Sequence, residues 1–128
     1  MKDLAHAKSF RDLLVYQKSK KVADMIFEVS KTFPKEEMYS LTGQVRRASR
    51  SIGGQIAEAW GKRRYERHFI SKLTDADSEQ LETQHWLDTA VSCRYLNEGQ
   101  AGNILGELEE IGRMLNSMMA KVKTFCRD

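Results

Sequence analysis

The chain has 128 residues, 41% of them apolar and 30% charged, with a formal net charge of +3. That length suits one domain with a sizeable core and leaves little room for a second. A single proline and eight scattered glycines exclude an all-β chain, which needs turn signals roughly every 8–12 residues, and no apolar run approaches the roughly 18 residues of a membrane-spanning helix.

The start of the chain, Met1 to Lys8, is polar and carries no apolar segment like that of a signal peptide. The expected location is therefore the cytoplasm, with no membrane partner. Cys93 and Cys126 form no Cys-x-x-Cys pair. Both are expected as thiols, in the role of half-buried small apolar residues.

Residues 1–10 read as a flexible arm, and residues 11–128 as the folded domain. A first helix is predicted from about Asp12 to Lys31. Val15, Val22, Ile26 and Val29 repeat at helical spacing on one face, and Tyr16, Ala23 and Phe27 widen the stripe. Pro34 ends the segment, since the residue before a proline is pushed out of the α region.

A second helix is predicted from about Ser40 to Trp60, with Leu41, Val45, Ala48, Ile52, Ile56 and Ala59 on its apolar face. Gly53-Gly54 lies inside this pattern. Each glycine costs a helix about 0.8–1 kcal/mol relative to alanine, so close approach of another helix is the expected compensation. Gly61 is a plausible end.

A third helix is predicted from about Tyr65 to Leu96. Its ends are apolar, but Thr74 to His85 is polar, with Leu81 the main large apolar side chain. A polar middle suggests a hydrogen-bonded layer within the bundle or at a subunit interface. Asn97, Gly99 and Gly102 mark the last turn. The fourth helix follows with the cleanest seam: Ile104, Leu108, Ile111, Leu115, Met118, Val122 and Phe125 alternate steps of four and three. Four such helices joined by short turns predict an all-α fold, an antiparallel up-down-up-down four-helix bundle.

The charges are unevenly placed. Residues 46–67 hold Arg46, Arg47, Arg50, Lys62, Arg63, Arg64 and Arg67 against Glu58 and Glu66, while residues 74–110 hold nine acids against Arg94 alone. A basic region beside an acidic one favours a polyanionic partner or self-association of opposite faces. Trp60 and Tyr65 interleave with the bases, as on nucleic-acid-binding surfaces. The seven bases are thus the candidate nucleic-acid contacts. The competing reading is a solvated face, or arginines paired with the acidic half of a neighbouring subunit.

Catalytic chemistry finds no foothold. Glu82 and His85 form one Glu-x-x-His pair, whereas a di-metal bundle uses two such pairs with further carboxylates, so no metal and no cofactor are expected. Gly53-Gly54 follows no strand and is not a nucleotide fingerprint. Cys93 sits beside Arg94, but its setting does not mark a nucleophile. The protein is expected not to be an enzyme.

The chain resembles the 23S rRNA intervening-sequence protein family. The resemblance is carried by Phe10, Leu13, Tyr16 and Gln17, by Phe33-Pro34 with Glu37 and Tyr39, then by Leu41, Thr42, Gln44, Arg46-Arg47-Ala48, Ser51-Ile52 and Ile56-Ala57-Glu58. Leu81-Glu82-Thr83-Gln84 completes it. It spans roughly Phe10 to Leu96. Gln55 stands where the family usually has asparagine and Ala59 where it has glycine. Ala76-Asp77 and Gln80 replace the usual Gly-Ser and Glu, which bears on the polar contacts between the second and third helices. The resemblance implies an up-down-up-down bundle assembled as a ring of five subunits, with no catalytic residues. A related branch is an accessory protein that partners a reverse transcriptase and nucleic acid.

Two roles follow as expectations. One is a non-enzymatic homo-oligomeric scaffold that binds RNA or DNA through its basic surface. The other is a protein-interaction accessory subunit that makes no direct nucleic-acid contact.

Overall fold

Each of the four segments is helical in the computed structural model, which describes residues 7–126. The helices are α1 Leu14–Ser30, α2 Leu41–Gly61, α3 Glu66–Ser92, α4 Glu98–Ala120 and a final turn, α5 Val122–Phe125. No strand occurs among the described residues. α1 and α3 each touch both α2 and α4, and the diagonal pairs do not meet, so the bundle is square.

Cross-helix contacts set the directions. Arg47 near the start of α2 reaches Glu82, while Glu58 near its end reaches Lys72 at 3.2 Å. α2 and α3 are therefore antiparallel. Gln80 faces Gly112 and Thr74 touches Met119, which reverses α4 against α3. The core is one apolar cluster running the length of the square, with Ile26, Ile52, Ile56, Phe69, Leu73, Leu108 and Leu115 fully enclosed.

Of the arm expected at residues 1–10, residues 1–6 lie outside the described residues. Ser9 caps a 3-10 turn over Phe10–Asp12, its hydroxyl accepting from the Arg11 N–H at 3.1 Å. Phe10 packs edge-on against Tyr16 at 4.8 Å. Leu13, extended at ψ 129° and buried, separates this turn from α1, so that helix begins two residues later than its periodicity indicated. Phe27, expected in the apolar stripe, points outward and is 36% exposed. It sits one residue past Ile26 in the core, and one residue is 100° around a helix.

The polar middle of α3 sends two of its polar side chains, Gln80 and Thr83, into the core. Phe69, Leu73, Ala76, Gln80, Thr83, Leu87 and Ala90 form the buried seam. Their steps of four and three never break, so Gln80 and Thr83 point inward and Leu81 outward, 55% exposed. The inward groups are paired as burial requires. Gln80 Nε2 donates to Asp77 Oδ1 at 2.9 Å, Gln84 Nε2 donates to Gln80 Oε1 at 2.7 Å, and the Thr83 hydroxyl donates to the Glu79 carbonyl at 2.8 Å. Gly112 of α4 makes the room: a Cβ there would meet Gln80 Nε2 at 2.9 Å.

The glycines near residue 100 do not form a turn. Asn97 accepts from the Gln100 N–H at 2.8 Å while the Gln100 side chain accepts from the Asn97 N–H at 3.0 Å. This capping box starts α4 ahead of Gly99 and Gly102, which lie inside it. α3 ends four residues before the predicted Leu96, with Arg94 left-handed at φ 64°. The Tyr95 and Arg94 N–H groups bond back to Ala90 and Val91 carbonyls at 2.9 Å each. Cys93, at this cap, is exposed and not half-buried as expected; Cys126 is half-buried, and neither is in a disulfide. The fourth seam breaks once, at Lys121, yet Phe125 beyond it still reaches the core.

α1 is tied to α4 by Lys18 and Lys21, which hold Glu107 at 2.5 and 3.1 Å. The Lys18 and Lys21 hydrogen bonds keep the Glu107 carboxyl below its usual range. A carboxyl depressed by folding stabilises at neutral pH, and that contribution is lost as pH falls through its native value. Both partners are partly exposed, so the tie is worth at most about 1 kcal/mol.

Gly53 and Gly54 divide the expectation of close approach between them. A Cβ at Gly53 would meet Ser19 Oγ at 3.1 Å and Tyr16 Cε1 at 3.4 Å, so α1 does crowd this residue. A Cβ at Gly54 would meet nothing within 4 Å. Gly54→Ala is therefore expected to stabilise the fold by about 0.8–1 kcal/mol. Gly53→Ala should fail to deliver that gain, because Ser19 and Tyr16 must yield. Urea unfolding midpoints of the two variants check the contrast.

Candidate nucleic-acid interface

The antiparallel bundle separates the seven candidate bases into two groups. Arg46, Arg47 and Arg50 lie in the first half of α2. Lys62, Arg63 and Arg64 lie in the α2–α3 turn, and Arg67 lies in the first turn of α3. The second group occupies the end of the bundle where Phe69 meets Phe125.

The α2 arginines are engaged by their own chain. Arg46 leans toward α1, where its Nε donates to Ser30 Oγ at 2.8 Å and its guanidinium lies 4.7 Å from the Phe27 ring centre. Arg50 covers the same ring at 5.6 Å. With Lys31 at 4.9 Å, three cations lie over the ring, which explains why Phe27 is tolerated on the surface. Arg47 turns the other way, to Glu82 and, at 3.3 Å, to Glu79 of α3. Its charge is matched within the molecule. Glu82 also accepts from Trp86 Nε1 at 3.0 Å, and these two donors, Trp86 first, hold its carboxyl below the usual range.

The lone Glu-x-x-His pair is thereby absorbed. Glu82 serves Trp86 and Arg47, and His85 is exposed, edge-on to Trp86 at 4.8 Å. Among the described residues no three His, Cys, Asp or Glu side chains are grouped to hold a metal ion.

The turn group is different. Lys62, Arg64 and Arg67 are exposed, and their side chains have no ion-pair or hydrogen-bond partner among the described residues. Arg63 is the exception. Its Nε donates to the Trp60 carbonyl at 2.8 Å and its guanidinium stacks 3.5 Å from the Trp60 ring centre. One face of Trp60 is thus covered, and the half-buried ring packs on the core. Tyr65 is 58% exposed, and its one ring contact is the edge of His68 at 5.4 Å.

A shallow hollow opens here, lined by Arg64, Tyr65, Glu66, Arg67, His68 and Ser71. Its one acid, Glu66, is paired with Lys123 at 2.7 Å. Backbone bonds brace the rim: the Tyr65 N–H reaches the Lys62 carbonyl at 3.1 Å and the Phe69 N–H reaches the Tyr65 carbonyl at 3.0 Å. The arrangement offers unneutralised cations and an open aromatic face on a fixed support, which suits phosphate and base contacts. His68 and Ser71 belong to the hollow and carried no signal as isolated residues. Their one clue is spacing, since Arg64, Arg67, His68 and Ser71 follow helical steps of three, one and three.

A family model described as 23S rRNA-intervening sequence protein matches residues 11–117. No curated protein matches the chain. Among solved structures it is similar to a protein of unknown function from the S23 ribosomal protein family of Bacteroides thetaiotaomicron. The two are 29% identical with a TM-score of 0.75, over 83% of this chain and 98% of that one.

Proposed function

We propose, for a chain that belongs to the 23S rRNA-intervening sequence protein family, a non-enzymatic role as a homo-oligomeric scaffold that holds RNA or DNA on its basic surface. The observation that carries this reading is the set Lys62, Arg64 and Arg67, exposed beside Tyr65 and without partners among the described residues. Arg46 and Arg50 lack carboxylate partners among the described residues as well, and add positive charge in the first half of α2. The proposed place of action is the cytoplasm.

The assembly we propose is a closed ring of five. Its supports are the family resemblance and the separation of basic from acidic segments, which lets unlike surfaces of neighbouring copies meet and close on rotation. A ring repeats the basic patch in each subunit, so weak contacts add through avidity.

Titration of labelled RNA and DNA strands into the purified protein tests the reading. Binding is expected at ~50 mM salt with little sequence preference and a steep loss by ~200 mM, because each neutralised phosphate releases counterions. Light scattering on the same sample should give a five-subunit mass. A monomer at micromolar concentration contradicts the ring.

A second reading is an accessory subunit for a protein partner. It is favoured by Met38 and Tyr39, 44% and 99% exposed at the opposite end of the bundle. Exposed tyrosine is a frequent anchor in protein interfaces. Absence of any nucleic-acid binding at ~50 mM salt would move this reading to first place.

A further inference from the structure

We infer that the α2–α3 end is a stacking platform for an unpaired base, so that the nucleic acid held there is single-stranded at the point of contact. The inference rests on the nucleic-acid reading above and narrows it to one class of strand and one aromatic residue.

The reasoning starts from what each strand type presents. A duplex offers phosphates, with its base faces hidden in the stack. A single strand offers phosphates and open base faces, and its binding proteins combine a cationic surface with exposed aromatic rings. Among the described residues the two ingredients coincide at one place. Arg64 and Arg67 flank Tyr65 in one hollow, and Lys62 stands at the other end of the same turn.

The other exposed or edge-placed aromatics lack one ingredient. Trp60 has cations nearby, but Arg63 already occupies its face at 3.5 Å. Phe27 is covered by Arg46, Arg50 and Lys31, at 4.7, 5.6 and 4.9 Å from the ring centre. Tyr39 is 99% exposed but follows Glu36 and Glu37, which repel phosphate. Among the described residues Tyr65 alone joins an open ring to unmatched positive charge.

The support is rigid enough for the task. Tyr65 is the N-cap residue of α3, with φ −128° and ψ 118°, and its backbone bonds on both sides. His68, one turn further on, contacts the ring edge-on at 5.4 Å and limits its swing. Glu66, the carboxylate in the hollow, is engaged by Lys123 and so opposes phosphate less than a free acid would.

The test uses the full chain and fluorescence anisotropy. The probes are a labelled oligothymidylate and an oligouridylate of about 12 nucleotides, with a blunt duplex of the same length as comparison. The single strands should bind at least about 10-fold tighter than the duplex at ~50 mM salt. Tyr65→Ala should weaken single-strand binding about 5- to 150-fold, the range for loss of one stacked base. Tyr65→Phe, which keeps the π-face, should bind as the parent does. Duplex affinity and the salt slope should not change in either variant, because no charge is removed. Equal binding of duplex and single strand, or no effect of Tyr65→Ala, overturns the stacking site while leaving the nucleic-acid reading standing. Equal losses in Tyr65→Ala and Tyr65→Phe also overturn it. Absence of all binding at ~50 mM salt overturns both.

Discussion

Phe69→Ala is expected to destabilise the fold by about 3–5 kcal/mol, the usual cost of emptying an aromatic site in a core. Phe69 is the first inward residue of α3, 0% exposed, and its ring stacks on Phe125 at 5.7 Å and 24°. That contact docks α5 after the break at Lys121. Truncation removes the transfer energy of the ring and leaves a cavity between α3 and the final turn, which the surrounding residues can close only in part. Domains of this size have about 5–15 kcal/mol to lose, so the variant should remain folded at low temperature and unfold at much lower urea. Tyr65→Ala, four residues earlier and on the surface, should leave the unfolding free energy within about 0.5 kcal/mol of the parent. Urea denaturation followed by circular dichroism checks both. A loss below 1 kcal/mol for Phe69→Ala would mean that the end of the bundle is not packed as described.

The fold was legible because its dominant signal is periodic. The seams of α2 and α4 read off directly, and every residue assigned to the α2 stripe is buried. The α3 seam runs just as regularly through Gln80 and Thr83, but these polar residues interrupt the hydrophobic pattern, while the large apolar Leu81 lies on the exposed face. Only the facing gap at Gly112 shows why an amide can sit there. The start of α4 was misread for a related reason. Glycines at 99 and 102 suggest a turn, while the Asn97–Gln100 box that outweighs them is a two-residue signal.

The site was legible as a composition and not as an arrangement. Seven bases stand out in the sequence, yet sequence does not say which are spent. Arg47 meets Glu79 and Glu82 from 32 and 35 residues away, and such pairings depend on the antiparallel register of α2 and α3. Trp60 and Tyr65 looked equivalent as interleaved aromatics. The fold distinguishes them, because Arg63 bonds back to the Trp60 carbonyl and covers that ring.

The second large effect concerns charge. Lys62→Gln, Arg64→Gln and Arg67→Gln combined should lower single-strand affinity about 10- to 100-fold at ~50 mM salt, at roughly 0.5–1 kcal/mol for each exposed ionic contact. The three side chains are exposed and bond to no described residue, so the fold should be unaffected. The matching change of Arg46, Arg47 and Arg50 to glutamine removes Arg47 from Glu79 and Glu82, and the other two from Phe27. It should lower affinity less and stability more. If that variant dissociates into monomers, the α2 arginines act in subunit contacts.

The decisive measurement is the slope of log affinity against log salt for the parent and the Lys62, Arg64 and Arg67 triple variant on the same single strand. The parent should show a steep negative slope and the triple variant one shallower by about 2, since each lost phosphate contact removes roughly 0.7 from the slope on a single strand. Identical slopes, or a parent that binds no strand at ~50 mM salt, would contradict a nucleic-acid interface at this end of the bundle.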